Sequence, residues 1–307
     1  MKLIVTIPAY NEEKTIGRVI KSIPRKIKGI SKIEVLIWSD GSTDKTLEIT
    51  KKAGADYVFF NKINLGLAKT FALMLRKAID LKADIIVNTD ADNQYDQKEI
   101  PKLLKPILNG KADMVLGNRQ IKKLNHMPLA KKYGNIIGSW TIRTLTGCNI
   151  QDASTGFRAL TRECAQKFNL LSPHTYTHET IVQAINKDLA IVEIPVKFKK
   201  RSSGNSRLIF GIWPHIKKSA ATIIRAVLMY KAFKVLATSS LLIMSFGVVG
   251  WFRFLYFYFS GNGAGHIQSL IFSPILINLG FTICIMGILA DLISINRKLI
   301  EKKKWVF

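Results

Sequence analysis

Two aspartates set two residues apart, Asp90 and Asp92, follow directly on the apolar run Ile85-Ile86-Val87. Side chains alternate along a strand, so positions i and i+2 at a strand end point to the same side. Two bare carboxylates that close repel each other, and a divalent cation relieves the repulsion. Mg²⁺ is commonly held by one or two carboxylates together with substrate phosphates. Gln94, two residues further on, can add an oxygen ligand. Asp-X-Asp by itself also occurs in polar loops with solvated acids; its place after a buried strand favours the metal. A second acid, Asp40, ends the apolar run 33–38. A carboxylate there can accept hydrogen bonds from a nucleobase or ribose, or can equally serve a turn. Pro8, Ala9 and Tyr10 close the first apolar run and can wall a base.

These residues need elements to position them. Residues 2–7 read as a buried strand, as do 33–38, 57–60 and 85–88, with a further strand near 113–117. Between them lie helical patterns. Asn11 is expected to cap a helix with Glu12 and Glu13 in its first turn. Ile16, Val19, Ile20 and Ile23 give that helix its period, and Pro24 ends it. The turn 39–44 leads into a helix that stops at Gly54; further helices are expected over 66–81 and near 97–109. Strands alternating with helices predict an α/β fold whose mostly parallel sheet is covered on both faces. In such sheets ligands bind beyond the carboxyl ends of the strands, where Asp40, Asp90, Asp92 and Arg119 all fall.

The remainder of the chain has a different character. It holds 307 residues with a formal charge of +25, and no Asp or Glu lies between Ile194 and Ala290. Residues 208–231 place Ile209, Ile212, Trp213, Ile216, Ile223 and Val227 on one face, with Lys217, Lys218 and Arg225 off it. This predicts amphipathic helices lying in a membrane interface. Residues 235–259 and 270–290 are each long and apolar enough to cross a bilayer. The loop 260–269 carries no Lys or Arg, whereas both outer flanks are basic, so both termini are expected on the cytoplasmic side. The expected division is a catalytic domain over 1–207, interface helices over 208–231 and a transmembrane hairpin over 232–307. The positive charge clusters before the spans, which favours an anionic membrane over nucleic acid as partner. Cys148, Cys164 and Cys284 are odd in number and far apart, so no disulfide framework or Cys-rich metal site follows. The apolar run at the N-terminus is too short for a signal peptide and is ended by Pro8.

Taken in order, Ile7–Glu13, Ser39–Asp44, Asn64-Leu65-Gly66, Asp90–Gln94, Gly117-Asn118-Arg119, Asp152–Arg158, Glu193–Val196 and Arg201–Arg207 resemble glycosyltransferase family 2. The resemblance covers about 1–210 and is to the branch with dolichol-phosphate mannose synthase and polyprenyl-phosphate glucosyltransferases. It implies a GT-A fold, a nucleotide-sugar donor (GDP-mannose before UDP-glucose) and Mg²⁺ or Mn²⁺. It also implies inverting transfer to a dolichyl or undecaprenyl phosphate. On this resemblance Pro8, Ala9, Tyr10, Glu12, Asp40, Asn64, Gly66, Asp90 and Ala91 would bind the donor, and Asp90, Asp92 and Gln94 the metal. Arg119 and Arg201, helped by Lys131 and Lys132, would hold the acceptor phosphate. Asp92, Asp152, Arg119 and Arg201 would carry catalysis. Asp152 would act as a base, or would orient Arg158 or the sugar; an acceptor phosphate already ionised at neutral pH favours orientation.

The chain departs from the family pattern in three places. Ser39-Asp40 stands where two acids are usual, Tyr95 where His is common, and Arg207 where Lys is usual. The Gln-X-X-Arg-Trp motif of processive synthases is missing, which argues against polymer synthesis. Two other readings remain: a membrane-tethered family-2 transferase with a different acceptor, and a catalytically silent membrane scaffold.

Overall fold

Three apolar runs lie side by side because each is covered on both faces. They are β1 (Lys2–Ala9), β2 (Lys32–Asp40) and β4 (Ile85–Asn88) of the computed structural model, which describes residues 1–124, 127–170, 176–200 and 212–303. Leu3 to Ala9 are buried without interruption, as continuous apolar strands of a parallel sheet should be. With β3 (Tyr57–Asn61), β5 (Met114–Asn118), β6 (Arg158–Thr161) and β7 (Ile191–Pro195) they form a seven-stranded sheet in the order β3-β2-β1-β4-β6-β5-β7. All pairs are parallel except those of β6, which runs antiparallel between β4 and β5. The strand order reverses between β1 and β4. This is the switch point where α/β sheets open a crevice for ligands.

Helices α1 (Ile16–Ser22), α2 (Thr46–Lys52), α3 (Leu67–Asp80) and α4 (Ile100–Leu108) fill the connections. Helix α3 buries Ala68, Phe71, Met74, Leu75 and Ala78, the spacing of a helix with one apolar face. It starts after Gly66, whose φ of 88° suits glycine. Next come α5 (Leu129–Thr146), α6 (Arg162–Gln166) and α7 (Thr177–Asn186).

One expected boundary moves. Asn11 does not cap α1, which begins only at Ile16 after Thr15. Asn11 is instead in the left-handed region (φ 53°), and its Oδ1 accepts from the Thr43 amide at 2.8 Å. A tertiary tie between two loops outweighs the local capping preference.

The chain separates into two compact units, Met1–Ile223 and Ile224–Phe307. Helix α8 runs over Ile212–Phe259. Residues 208–211 lie outside the described residues, as do the side chains of 212–231. Two stretches are long and apolar enough to cross a membrane, Ala232–Phe259 and, within α9 (Ile267–Lys303), Ile267–Asn296. They pack through small residues. A Cβ on Gly247 would stand 2.9 Å from the Ser273 carbonyl oxygen, and one on Gly280 2.9 Å from that of Ser240. Such close backbone approach is how helices associate where no hydrophobic drive exists.

Candidate active site

The carboxyl ends of β2 and β1 support two loops stitched together by backbone donors. The Asn11 amide donates to Ser42 Oγ (3.0 Å), the Glu12 amide to Thr46 Oγ1 (2.8 Å) and the Glu13 amide to Asp44 Oδ2 (3.2 Å). Tyr10 is 37% exposed, whereas Pro8 and Ala9 are buried in the sheet. Of the three residues expected to wall a base, only Tyr10 therefore presents itself. Asp40 serves the turn, one of the two roles open to it. It is 4% exposed, and its carboxylate accepts from Asn61 Nδ2 (2.8 Å), the Leu65 amide (2.8 Å) and the Gly66 amide (2.9 Å). It thus holds the loop that leads into α3. Asn64 is exposed and its Oδ1 accepts from the Gly66 amide at 3.0 Å. Gly41 (φ 72°) lets this loop close, because a Cβ there would stand 2.6 Å from the Asn64 nitrogen.

Asp90 and Asp92 follow β4 at the switch point. Asp92 Oδ1 accepts from the Gln94 amide at 3.1 Å, and Asn93 between them is left-handed (φ 61°). Asp90 accepts no hydrogen bond from any described residue. Burial, and then the charge of Asp92, push its carboxyl up to about 7, while Arg119, Lys131 and Arg158 pull the other way. The space around that carboxylate is built by Gly156. A Cβ at this position would lie 2.7 Å from Asp90 Oδ1. The Gly156 backbone is fixed on both sides: its carbonyl accepts from Asn88 Nδ2 (2.8 Å) and its amide donates to the Tyr95 hydroxyl (3.2 Å). Tyr95 is thus a buried brace under the loop that carries Asp90 and Asp92. It stacks on Phe157 and meets Phe198 edge-on.

An acid with no hydrogen-bond partner among the described residues, a second acid whose charge works against it and a cradle that a methyl group would fill suit a divalent cation. Among the described residues no group of three His, Cys, Asp or Glu comes together. The donor set therefore suits a cation that completes its shell with substrate phosphates. Gln94 Nε2 donates to the Lys199 carbonyl at 3.1 Å, which orients its amide. Gly156→Ala is expected to retain the fold, since Gly156 has no positive φ. It should weaken Mg²⁺ or Mn²⁺ binding in the presence of nucleotide about 10- to 100-fold, as lost support around a metal site typically does. Titration calorimetry checks this.

Arg119 follows β5 and is 7% exposed. Its Nε donates to Asp152 Oδ2 (2.7 Å) and its Nη2 to Asp152 Oδ1 (2.7 Å), a bidentate fork. Nη2 also donates to Ser154 Oγ (2.7 Å), and the backbone amide donates to Asp152 Oδ2 (3.1 Å). The guanidinium lies 5.4 Å from the Phe198 ring centroid. Burial alone would raise the Asp152 carboxyl, but the Arg119 guanidinium overrides it and holds the group below its usual range. Both oxygens of Asp152 are engaged. These bonds fix the orientation of Arg119. The segment bearing it is held in turn by Glu193, whose oxygens accept from the amides of Gln151 and Asp152 at 2.8 Å each.

Arg158 is fully buried on β6. Its Nη1 donates to Thr180 Oγ1 (2.6 Å), Nη2 donates to the Thr155 carbonyl, and Nε has no hydrogen-bond partner among the described residues. Lys131 acts electrostatically on Asp90, and Lys132 Nζ donates to the Leu124 carbonyl at 3.3 Å. Ala91 is buried in the core, and Glu12 Oε2 accepts from its neighbour Thr15 at 3.0 Å. Arg201 and Arg207 lie outside the described residues. The sequence reading placed Ser154 and Gly156 in the 152–158 motif without a role and did not name Asn135; their closeness in space supplies the roles.

Two acids thus follow β4 at the switch point, with the buried Arg119 close enough to act electrostatically on Asp90. Residues 4–168 match glycosyl transferase family 2, and the chain belongs to that family. It is a glycosyltransferase with a GT-A catalytic fold. The dolichyl-phosphate hexose transferase of Haloferax volcanii is 29% identical, covering 67% of this chain and 86% of that protein. A UDP-N-acetylglucosamine–dolichyl-phosphate N-acetylglucosaminyltransferase of Methanococcus voltae is 31% identical, covering 64% and 85%. Among solved structures, glucosyl-3-phosphoglycerate synthase of Mycobacterium tuberculosis, in complex with Mn²⁺, UDP-glucose and phosphoglyceric acid, is similar in fold. Its TM-score is 0.57 at 20% identity, over 74% of this chain and 78% of that one.

Proposed function

We propose that this glycosyltransferase moves a hexose from a nucleotide-sugar, GDP-mannose before UDP-glucose, onto a polyprenyl phosphate at the cytoplasmic face of a membrane. The acceptor reading is supported by the dolichyl-phosphate transferases it resembles and by the two apolar helices Ala232–Phe259 and Ile267–Asn296. The observation that carries the mechanism is the fork between Arg119 and Asp152 beside the Asp90–Asp92 loop.

A phosphate monoester has a second pKa of about 6 and is a dianion at neutral pH. It needs a fixed cation more than a base. Asp152 holds Arg119 in one orientation before any substrate arrives, so the guanidinium need not reorganise when the phosphate docks. An acceptor oxygen then forms the new bond to C1 of the sugar as the bond from C1 to the donor diphosphate breaks, with inversion. Asp90 and Asp92, with Gln94 oriented by Lys199, would hold Mg²⁺ or Mn²⁺, which neutralises charge on the departing diphosphate when bound. Tyr10 would flank the donor base, and Lys131 and Arg201 would add positive charge for the acceptor.

The test is an assay of the purified chain with GDP-mannose, UDP-glucose and UDP-N-acetylglucosamine against dolichyl and undecaprenyl phosphate. One donor is expected to yield an extractable lipid-linked sugar. Transfer only to water-soluble acceptors would replace this reading with a tethered transferase of other specificity. A chain that turns over no donor would be a silent scaffold.

A further inference from the structure

Helix α5 is inside out. Over its 18 residues, Leu129, Tyr133, Ile137 and Trp140 recur at helical spacing on one face and are 70%, 60%, 60% and 57% exposed. The opposite face turns polar groups inward. Asn135 Oδ1 accepts from Ser154 Oγ (2.6 Å), Ser139 Oγ accepts from the Ala153 amide (3.0 Å), and among the described side chains of the helix Ile142 is the one buried apolar residue. A helix on a protein surface ordinarily does the reverse. A contiguous apolar face of this kind marks an interaction surface.

The surroundings say what covers it. The helix contains no acid, and Lys122 and Lys123, exposed just before it, join Lys132 and Arg143 along its margins. Tyr133 and Trp140 combine an apolar ring with a polar tip, the composition of side chains that settle at the level of lipid head groups. Basic groups beside an apolar face with aromatic anchors are complementary to an anionic bilayer. The same chain also contains two helices able to cross one.

We propose that the face Leu129/Tyr133/Ile137/Trp140 of α5 is seated in the head-group region of an anionic membrane, a contact separate from the two spans. The helix is then a ruler for the site. Asn135 and Ser139 grip the segment 153–154, and Ser154 in turn bonds Arg119. The depth at which α5 rests sets the height at which Arg119 meets a phosphate carried by a lipid; this last step rests on the proposed lipid acceptor.

The full chain, reconstituted in phosphatidylcholine–phosphatidylglycerol vesicles, tests the contact. Emission of the wild type minus that of Trp140→Phe isolates Trp140 from the other tryptophans. Bromination of the acyl chains near the head group is expected to quench most of that difference signal, and aqueous iodide to leave it nearly unchanged. Ile137→Asp, at an exposed position, should abolish the lipid quenching. Quenching by iodide but not by bromolipid overturns the proposal. So does insensitivity to both with cross-linking of Ile137→Cys between copies, which would make the face a protein contact. Quenching is read in vesicles without acceptor, so intact lipid quenching together with no transfer in the separate assay with dolichyl and undecaprenyl phosphate would sink the proposed reaction and leave the docking surface standing.

Discussion

Asp90→Asn protein is expected to lose at least about 10²–10³-fold in kcat while its metal-free form becomes harder to unfold. The loss follows from the size of a preorganised charge in a water-poor site, where one group is commonly worth that factor. The gain in stability follows from the same geometry. Asp90 accepts no hydrogen bond from any described residue, and burial and Asp92 both oppose its charge. Replacing that carboxylate by a neutral group of equal size removes the repulsion. The gain should be on the order of 1–2 kcal/mol, typical where a site gives up stability for function. The two readouts together separate a lost metal contact from a damaged fold. Asp92→Ala should lose activity to a similar extent, and excess chelator should reduce the wild type to the level of these variants. Thermal unfolding without metal and initial rates across an Mg²⁺ or Mn²⁺ titration check this. Asp90→Asn protein that is both active in chelator and no more stable than wild type would remove the acids from the mechanism.

The parts of this site that could be read from sequence share one property: each rests on a local pattern that tertiary structure reinforces. The apolar runs 2–7, 33–38 and 85–88 are strands buried except at Lys2 and Trp38, and Asp90-Ala91-Asp92 falls at a strand end, where periodicity and fold agree. What escapes is set by distant partners. Asn11 has the chemistry of a helix cap but serves the Thr43 amide across the crevice. Asp40 has the placement of a ligand contact, yet the 61–66 loop surrounds its carboxylate with donors. Strand β6 has four residues and opens on Arg158, a charge that argues against a central strand until its oxygen partners from 155–180 are seen. Helix α5 is the sharpest case. Its apolar spacing matches that of any core-facing helix, and only the solvent exposure of those side chains separates a core face from a docking face.

Breaking the Arg119–Asp152 fork should give different results depending on which partner is removed. Arg119→Ala leaves a buried carboxylate with neither its counter-charge nor two of its donors. Stranding one member of a buried pair typically destabilises by about 3–5 kcal/mol. Loss of activity in that variant therefore mixes unfolding with lost chemistry. Arg119→Met combined with Asp152→Leu removes both charges, and is expected to recover most of the stability while activity stays about 10²-fold or more below wild type. Asp152→Asn tests the remaining question. The carboxyl is held below its usual range, so it is charged throughout the neutral region. The stability it confers is present above its unfolded pKa and is lost only as pH falls through the lower folded pKa. An orienting Asp152 therefore contributes no ionisation to the rate between about pH 6 and 9, a range well above ordinary carboxyl pKa values. Asp152→Asn should lower kcat and raise KM for the acceptor without changing the shape of the pH profile, because the amide can accept from the fork through one oxygen only. If the variant instead lost an ionisation that the wild type shows in that range, Asp152 would be taking a proton from the acceptor, and the fixed-cation mechanism would give way to general-base catalysis.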